Sequence, residues 1–185
     1  MTPSHPAAIV ALLLVLVAAG CGRPPAAPDA APLSREEVEQ NLQAQAGELG
    51  RAVVAEDHER VAGLTHPELV KKLGGRDRYV QRLGEIAAQM KAGGFRMAAI
   101  TPARPSALAE TARKWFGVVP TEVEMTGPGG ARTTLRSYHI GESGDGGRAW
   151  RFVDANGVNG DRRKLTLIIP DYPADLPVPV SPPPQ

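Results

Sequence analysis

Two side chains of this chain have the residue type and the sequence setting for acid–base chemistry. His66 precedes a proline at a predicted helix start, where the positive end of the helix would lower the basicity of an imidazole. Asp154 shares one face of a predicted strand with Trp150 and Phe152. Aromatic surroundings would disfavour the ionised carboxylate, which suits a general base. Both residues also have a structural interpretation, since His66 can sit in a capping turn and Asp154 can begin the turn 154–157.

The sequence gives little support for a bound metal or phosphate. Asp57, His58 and Glu59 are ligand types, but consecutive helical positions diverge around the axis and cannot all reach one ion. The glycine-rich runs 127–130 and 141–147 lie between predicted strands and lack the lysine and helix of a phosphate loop, so they indicate hairpin turns. We therefore expect no metal and no cofactor.

Three aromatic side chains, Trp115, Tyr138 and Trp150, are the candidate ligand-binding residues. Aromatic residues make up only 4% of the chain, so each large ring matters for packing or for lining a pocket. Tyr138 and its neighbour His139 point to opposite faces of a predicted strand, and only one of them can line a pocket. The pattern leaves open which one does.

The elements that must position these side chains begin with helices. Ser34 and Glu37 form a capping-box pattern ahead of an amphipathic helix that is predicted to reach about Glu56. Short helical segments are expected at 57–64 and from 65 onward, and a longer helix at about 77–91. The apolar stripe of that last helix consists of Val80, Leu83, Ala87 and Met90.

Strand-like runs occupy the second half of the chain. The first is 95–100, with Phe95, Met97 and Ala99 expected on one side; three more, at 114–119, 133–140 and 149–153, are separated by turn-forming clusters. The pattern predicts an α+β fold, with the N-terminal helices covering an antiparallel sheet. Residues 165–170 are expected to form a short helix or an edge segment that lies across the open end of the sheet, and the proline-rich residues 178–185 to form a disordered tail.

Composition favours one globular domain with tails. The chain has 185 residues, 42% of them hydrophobic, and a formal net charge of +1. Because the arginines are scattered among acidic residues, no basic face is predicted and nucleic-acid binding is not expected.

The N-terminal segment indicates export. Residues 7–19 form an apolar run that is shorter than the roughly 20 residues of a membrane span and typical of a signal-peptide core. The run Val17-Ala18-Ala19-Gly20-Cys21 resembles the lipobox of bacterial lipoproteins. The resemblance implies a signal peptide of residues 1–20, with acyl chains such as palmitate on Cys21, and a membrane-anchored place in the bacterial cell envelope on the periplasmic or extracytoplasmic side. Residues 21–33 would be a proline- and alanine-rich tether. The alternative is an ordinary secretory signal with an incidental cysteine.

The folded part, residues 34–177, resembles the nuclear transport factor 2-like superfamily, also called SnoaL-like. The resemblance rests on the order of elements and on two runs, LTHPELV at 64–70 and DGGRAWRFVD at 145–154. It implies a cone-shaped, cystatin-like α+β fold in which a curved antiparallel sheet wraps a long helix around a cavity. Enzymes of the superfamily place an acid, a base or a tyrosine in that cavity, while many relatives only bind a ligand or a partner, and the fold does not decide between them.

Three functional hypotheses follow. The first is a lipid-anchored envelope domain that binds a small apolar ligand or a partner protein and catalyses nothing. The alternative is a small cavity enzyme, an isomerase, dehydratase or hydrolase, that uses His66 or Asp154. The third is an interaction protein that forms a homodimer through the exposed face of its sheet.

Overall fold

The computed structural model describes residues 31–182, and helices form the first half of that range. They are α1 (Arg35–Val54), α2 (His58–Leu64), α3 (Pro67–Lys72) and α4 (Arg76–Ala92). The capping box is present, because Glu37 N donates to Ser34 Oγ (3.3 Å) and Ser34 N donates to Glu37 Oε2 (2.7 Å). These helices and their approximate bounds confirm the prediction from periodicity and caps.

An antiparallel sheet follows the helices. Its strands are β1 (Arg96–Pro102), β2 (Ala107–Glu110), β3 (Trp115–Thr126), β4 (Arg132–Ser143) and β5 (Arg151–Asp154). Their order is β1-β3-β4-β5, and β2 pairs with the same edge of β3 as β1 does. The sheet curves into a half-barrel against the helices, which confirms the predicted α+β class.

The two faces of the sheet carry separate cores. On the face toward α1, which we call the inner face, Trp115, Val119 and Phe152 pack with Leu42 and Leu49. Glycines let the helix approach closely: a Cβ added at position 117 would lie 2.3 Å from Leu42 Cδ2. The long helix therefore lies directly on the sheet in this region.

On the opposite, outer face, the C-terminal segment covers the sheet. The short helix α5 (Ala155–Val158) precedes the segment 162–178, which we call the strap and which begins with the short helix α6 (Arg162–Thr166). The strap buries Leu165, Ile169 and Tyr172 in a cluster with Phe116 of β3 and Ile140 of β4. The expected position across the open end of the sheet is wrong, because the apolar side chains of the strap match the apolar outer face. Order extends into the predicted tail, where Gly160 N donates to Pro179 O (3.1 Å).

A register shift in β1 changes which of its side chains share a face. Met97 pairs with Met125 and Ile100 with Val123, while Ala99 pairs with Glu124. Met97 and Ile100 therefore lie on the inner side, and the expectation that Phe95, Met97 and Ala99 share one side is wrong. A bulge breaks a strict alternation in this way, and alternation alone cannot reveal it.

The predicted signal peptide, the lipobox and Cys21 lie outside the described residues. Within residues 31–182, no helix has both the length and the apolar character needed to cross a membrane.

Candidate functional site

An apolar groove opens between the C-terminal end of α1, the short helix α2, the second half of α4 and the start of β1. Its volume is about 300 Å³. The apolar lining includes Val53, Val61, Leu83, Ala87, Met90 and Met97, with Ile86 and Phe95 at the mouth. Because its two mouth residues are large and apolar, the groove extends outward as an apolar surface.

The groove exists because α4 is packed less tightly than α1. None of the 17 residues of α4 is buried, whereas α1 buries Val38 and Leu42 completely. Ile86 is 46% exposed and Phe95 44% exposed. The apolar stripe predicted for this helix thus lines an open groove rather than a closed core.

Charged side chains line the rim of the groove. Lys91 Nζ lies 2.7 Å from Glu56 Oε2. The hydrogen bond from Lys91 lowers the pKa of Glu56. Burial opposes this effect, and the charges of Lys91 and Arg96 lower the pKa further. The guanidinium of Arg96 has no hydrogen-bond or ion-pair partner among residues 31–182, so the positive charge of the rim exceeds the negative charge.

A second polar cluster lies on the outer side of the sheet. His66 Nε2 is 3.6 Å from Glu142 Oε2, and Lys114 Nζ lies 3.1 Å from Glu142 Oε1 and 3.3 Å from Asp171 Oδ2. Glu68 N donates to His66 Nδ1 (3.3 Å), which places the proton of the neutral ring on Nε2, toward Glu142. The imidazole therefore caps α3 through Nδ1, and its Nε2 faces Glu142 Oε2, a buried oxygen that has no hydrogen-bond partner within residues 31–182.

The charges in this cluster compensate one another. Burial by itself would raise the pKa of Glu142, but its contacts with His66 and Lys114 outweigh burial and lower it. Burial would likewise lower the pKa of Lys114, yet Glu142 and Asp171 together raise it. Glu142 and Lys114 are thus ionised together at neutral pH, and they join the sheet to the strap.

The two predicted acid–base residues do not surround one ligand position. His66 is buried and turned toward Glu142 on the outer side. Asp154 is exposed and caps α5, where its Oδ1 accepts from Asn156 N (2.8 Å) and from Ser137 Oγ (3.4 Å). Ser137 belongs to the inner face, opposite to that of Glu142. Each residue therefore has the capping or turn role that its sequence context also allowed.

The predicted aromatic ligand-binding residues contribute to the cores instead of the groove. Trp115 and Trp150 are buried with α1, and Trp150 Nε1 donates to Gly147 O (3.1 Å). Tyr138 is half-buried on the outer face, and its neighbour His139 lies buried on the inner face. The sequence did not lead us to predict a groove beside α4, although the apolar stripe of this helix was a signal that could have indicated it.

Metal binding finds no support within residues 31–182. No group of three or more His, Cys, Asp or Glu side chains in this range is placed to hold an ion. Comparison with known proteins does not supply a function, because no family model matches the chain and no curated protein matches it.

Proposed function

We propose that this chain is a lipid-anchored cell-envelope protein whose folded domain binds a small apolar ligand and catalyses no reaction. The observation that carries the binding proposal is the apolar groove between α1, α4 and β1. Envelope anchoring is supported by the apolar run 7–19 that leads into Cys21.

A ligand would supply contacts that the protein itself leaves unmade. Burial of apolar surface contributes about 25 cal/mol per Å², and Ile86 and Phe95 are each more than 40% exposed at the mouth. Ligand pockets span roughly 300–1,000 Å³, and a groove of about 300 Å³ is at the lower end of that range. The dimensions favour one small ligand.

The nuclear transport factor 2-like assignment is part of the proposal. Its support is the long N-terminal helix lying in a curved antiparallel sheet, together with the order of four helices followed by strands in the described range. In such a cone the cavity lies between the long helix and the sheet. Here Leu42 of α1 packs with Trp115 and Phe152 in that space, and the groove lies beside it, between α1, α4 and β1.

Ligand binding has more support than a homodimer through the sheet. The strap covers the apolar part of the outer face around Phe116 and Val118. The remaining part of that face, on β3 and β4, presents polar and exposed residues such as Glu122, Glu124 and Arg136. A partner chain would find little apolar surface to bury there.

The test is a groove-filling substitution with a matched control. Ala87 lines the groove, whereas Ala92 is an exposed residue of the same helix outside it. We expect the neutral apolar fluorophore N-phenyl-1-naphthylamine to bind the full chain saturably, and to bind Ala87→Phe at least about tenfold more weakly, since a tenfold change corresponds to only 1.4 kcal/mol. Ala92→Phe is expected to bind as the unsubstituted protein does. Equal binding by both variants, with circular dichroism showing both to be folded, would refute the proposal.

A further inference from the structure

We infer that the ligand of the groove is a single-chain carboxylate, a free fatty-acid type of molecule, whose acyl chain lies between α4 and β1 and whose carboxylate meets Arg96. This inference rests on the proposed function and specifies its ligand. It follows from the charges at the mouth and from the size of the groove.

Positive charge exceeds negative charge around the mouth of the groove. Glu56 is already paired with Lys91 at 2.7 Å. Arg96 also lines the groove. Its charge acts on Glu56 at a distance, but its guanidinium makes no hydrogen bond or ion pair in the part of the chain that the structure describes, so its N–H donors are available to a ligand. His58, a further lining residue, is half-buried and packs toward Gly84 of α4, where a Cβ would lie 3.6 Å from its Nδ1. An apolar groove with a spare cation at its mouth is complementary to an amphiphile with an anionic end.

The type of anion follows from the guanidinium. Arginine presents a planar fork of N–H donors that matches the two oxygens of a carboxylate, and such pairs are stronger than neutral hydrogen bonds. A groove of about 300 Å³ has room for one short chain rather than two. A monomeric carboxylate with one alkyl chain satisfies both conditions.

The experiment compares three ligands that share one decyl chain and differ in charge. Decanoate, decanol and decyltrimethylammonium would each displace N-phenyl-1-naphthylamine from the full chain, at concentrations below micelle formation. We expect decanoate to bind about fivefold more tightly than decanol, the ratio that a partly exposed pair worth about 1 kcal/mol provides, and the ammonium compound to bind more weakly than decanol. The preference should decrease at high salt.

Substitution of Arg96 tests whether this residue causes the preference for decanoate over decanol. Arg96→Gln is expected to reduce the ratio of decanoate to decanol affinity toward one. The control Arg82→Gln removes an exposed cation of α4 that does not line the groove, and the ratio should remain about fivefold.

Each alternative outcome has a distinct meaning. If the fluorophore binds the groove but decanoate and decanol displace it equally, the carboxylate inference is wrong and the proposed apolar binding stands. If neither the fluorophore nor any decyl compound binds, both proposals are wrong. If the protein binds anionic vesicles while monomeric decanoate fails to displace the fluorophore, the mouth contacts a membrane surface and the inference is refuted.

Discussion

His139 on β4 and Asp154 on β5 are register partners, yet the imidazole is buried and the carboxylate beside it is exposed. Burial lowers the pKa of His139, and the nearby charge of Asp154 only partly opposes that effect. His139 Nδ1 has no hydrogen-bond partner within the described residues, while the ring packs against Phe152 with its centroid 5.9 Å away. The folded protein therefore holds this histidine neutral.

The neutral state of His139 predicts a loss of stability in mild acid. Its pKa in the unfolded chain is about 6.5, and its pKa in the folded protein is lower. Below pH 6.5 the unfolded state therefore binds a proton that the folded state does not, and the free energy of unfolding falls by up to about 1.4 kcal/mol per pH unit. Urea unfolding of the unsubstituted protein and of His139→Gln between pH 8 and 5 would measure how much of this pH dependence comes from His139. A stability difference that stays constant over that range would contradict the prediction.

The pair formed by Glu142 and Lys114 predicts a second pH dependence at lower pH. The pKa of Glu142 is depressed in the folded protein, so its contribution is present above the unfolded pKa of about 4.3 and is lost as pH falls through the folded pKa. We expect Glu142→Gln to lower the free energy of unfolding at pH 7 by about 1 to 2 kcal/mol, with the difference shrinking below pH 4.5.

The matched control for Glu142 is a glutamate that has no such partners among residues 31–182. Glu124→Gln changes an exposed side chain of β3 on the same outer face, and we expect an effect within about 0.5 kcal/mol. Equal effects of the two substitutions at pH 7 would show that the contacts of Glu142 contribute nothing.

The strap offers a comparison between residues that lie two positions apart. Ile169 is completely buried on the outer face, whereas Leu167 is 66% exposed. Ile169→Ala should destabilise the domain by about 2 to 5 kcal/mol because it leaves a cavity, and Leu167→Ala should cost less than about 0.5 kcal/mol. Denaturant unfolding of both variants measures the contrast. Similar small effects would mean that the strap is not part of the folded core.

The proposed anchor predicts a change of localisation. Cys21→Ala removes the thiol to which acyl chains would be attached, and stable anchoring depends on more than one such chain. We expect the variant to leave the membrane fraction and to lose labelling by radioactive palmitate. Palmitate labelling that survives the substitution would contradict the lipoprotein assignment, and absence of labelling in the unsubstituted protein would favour an ordinary secretory signal.

Local sequence signals were sufficient for the helices and for the presence of most strands. The cap formed by Ser34 and Glu37, the apolar spacing of α1 and the glycines around α4 act within a few residues, so they can be interpreted without a fold. The α+β class followed from the order of these segments. The strand β2 was missed, because its four residues, ALAE, carry no strong strand preference.

Tertiary structure decided where each element and each face lies. Alternation shows that Tyr138 and His139 point apart, but only the packing of α1 determines that His139 is the inward one. The meeting of His66 with Glu142, and the docking of the strap on the outer face, depend on contacts between segments far apart in the chain. The groove arises in the same way: the sequence specified the apolar stripe of α4, but the half-open space beside it exists because no other described part of the chain packs there.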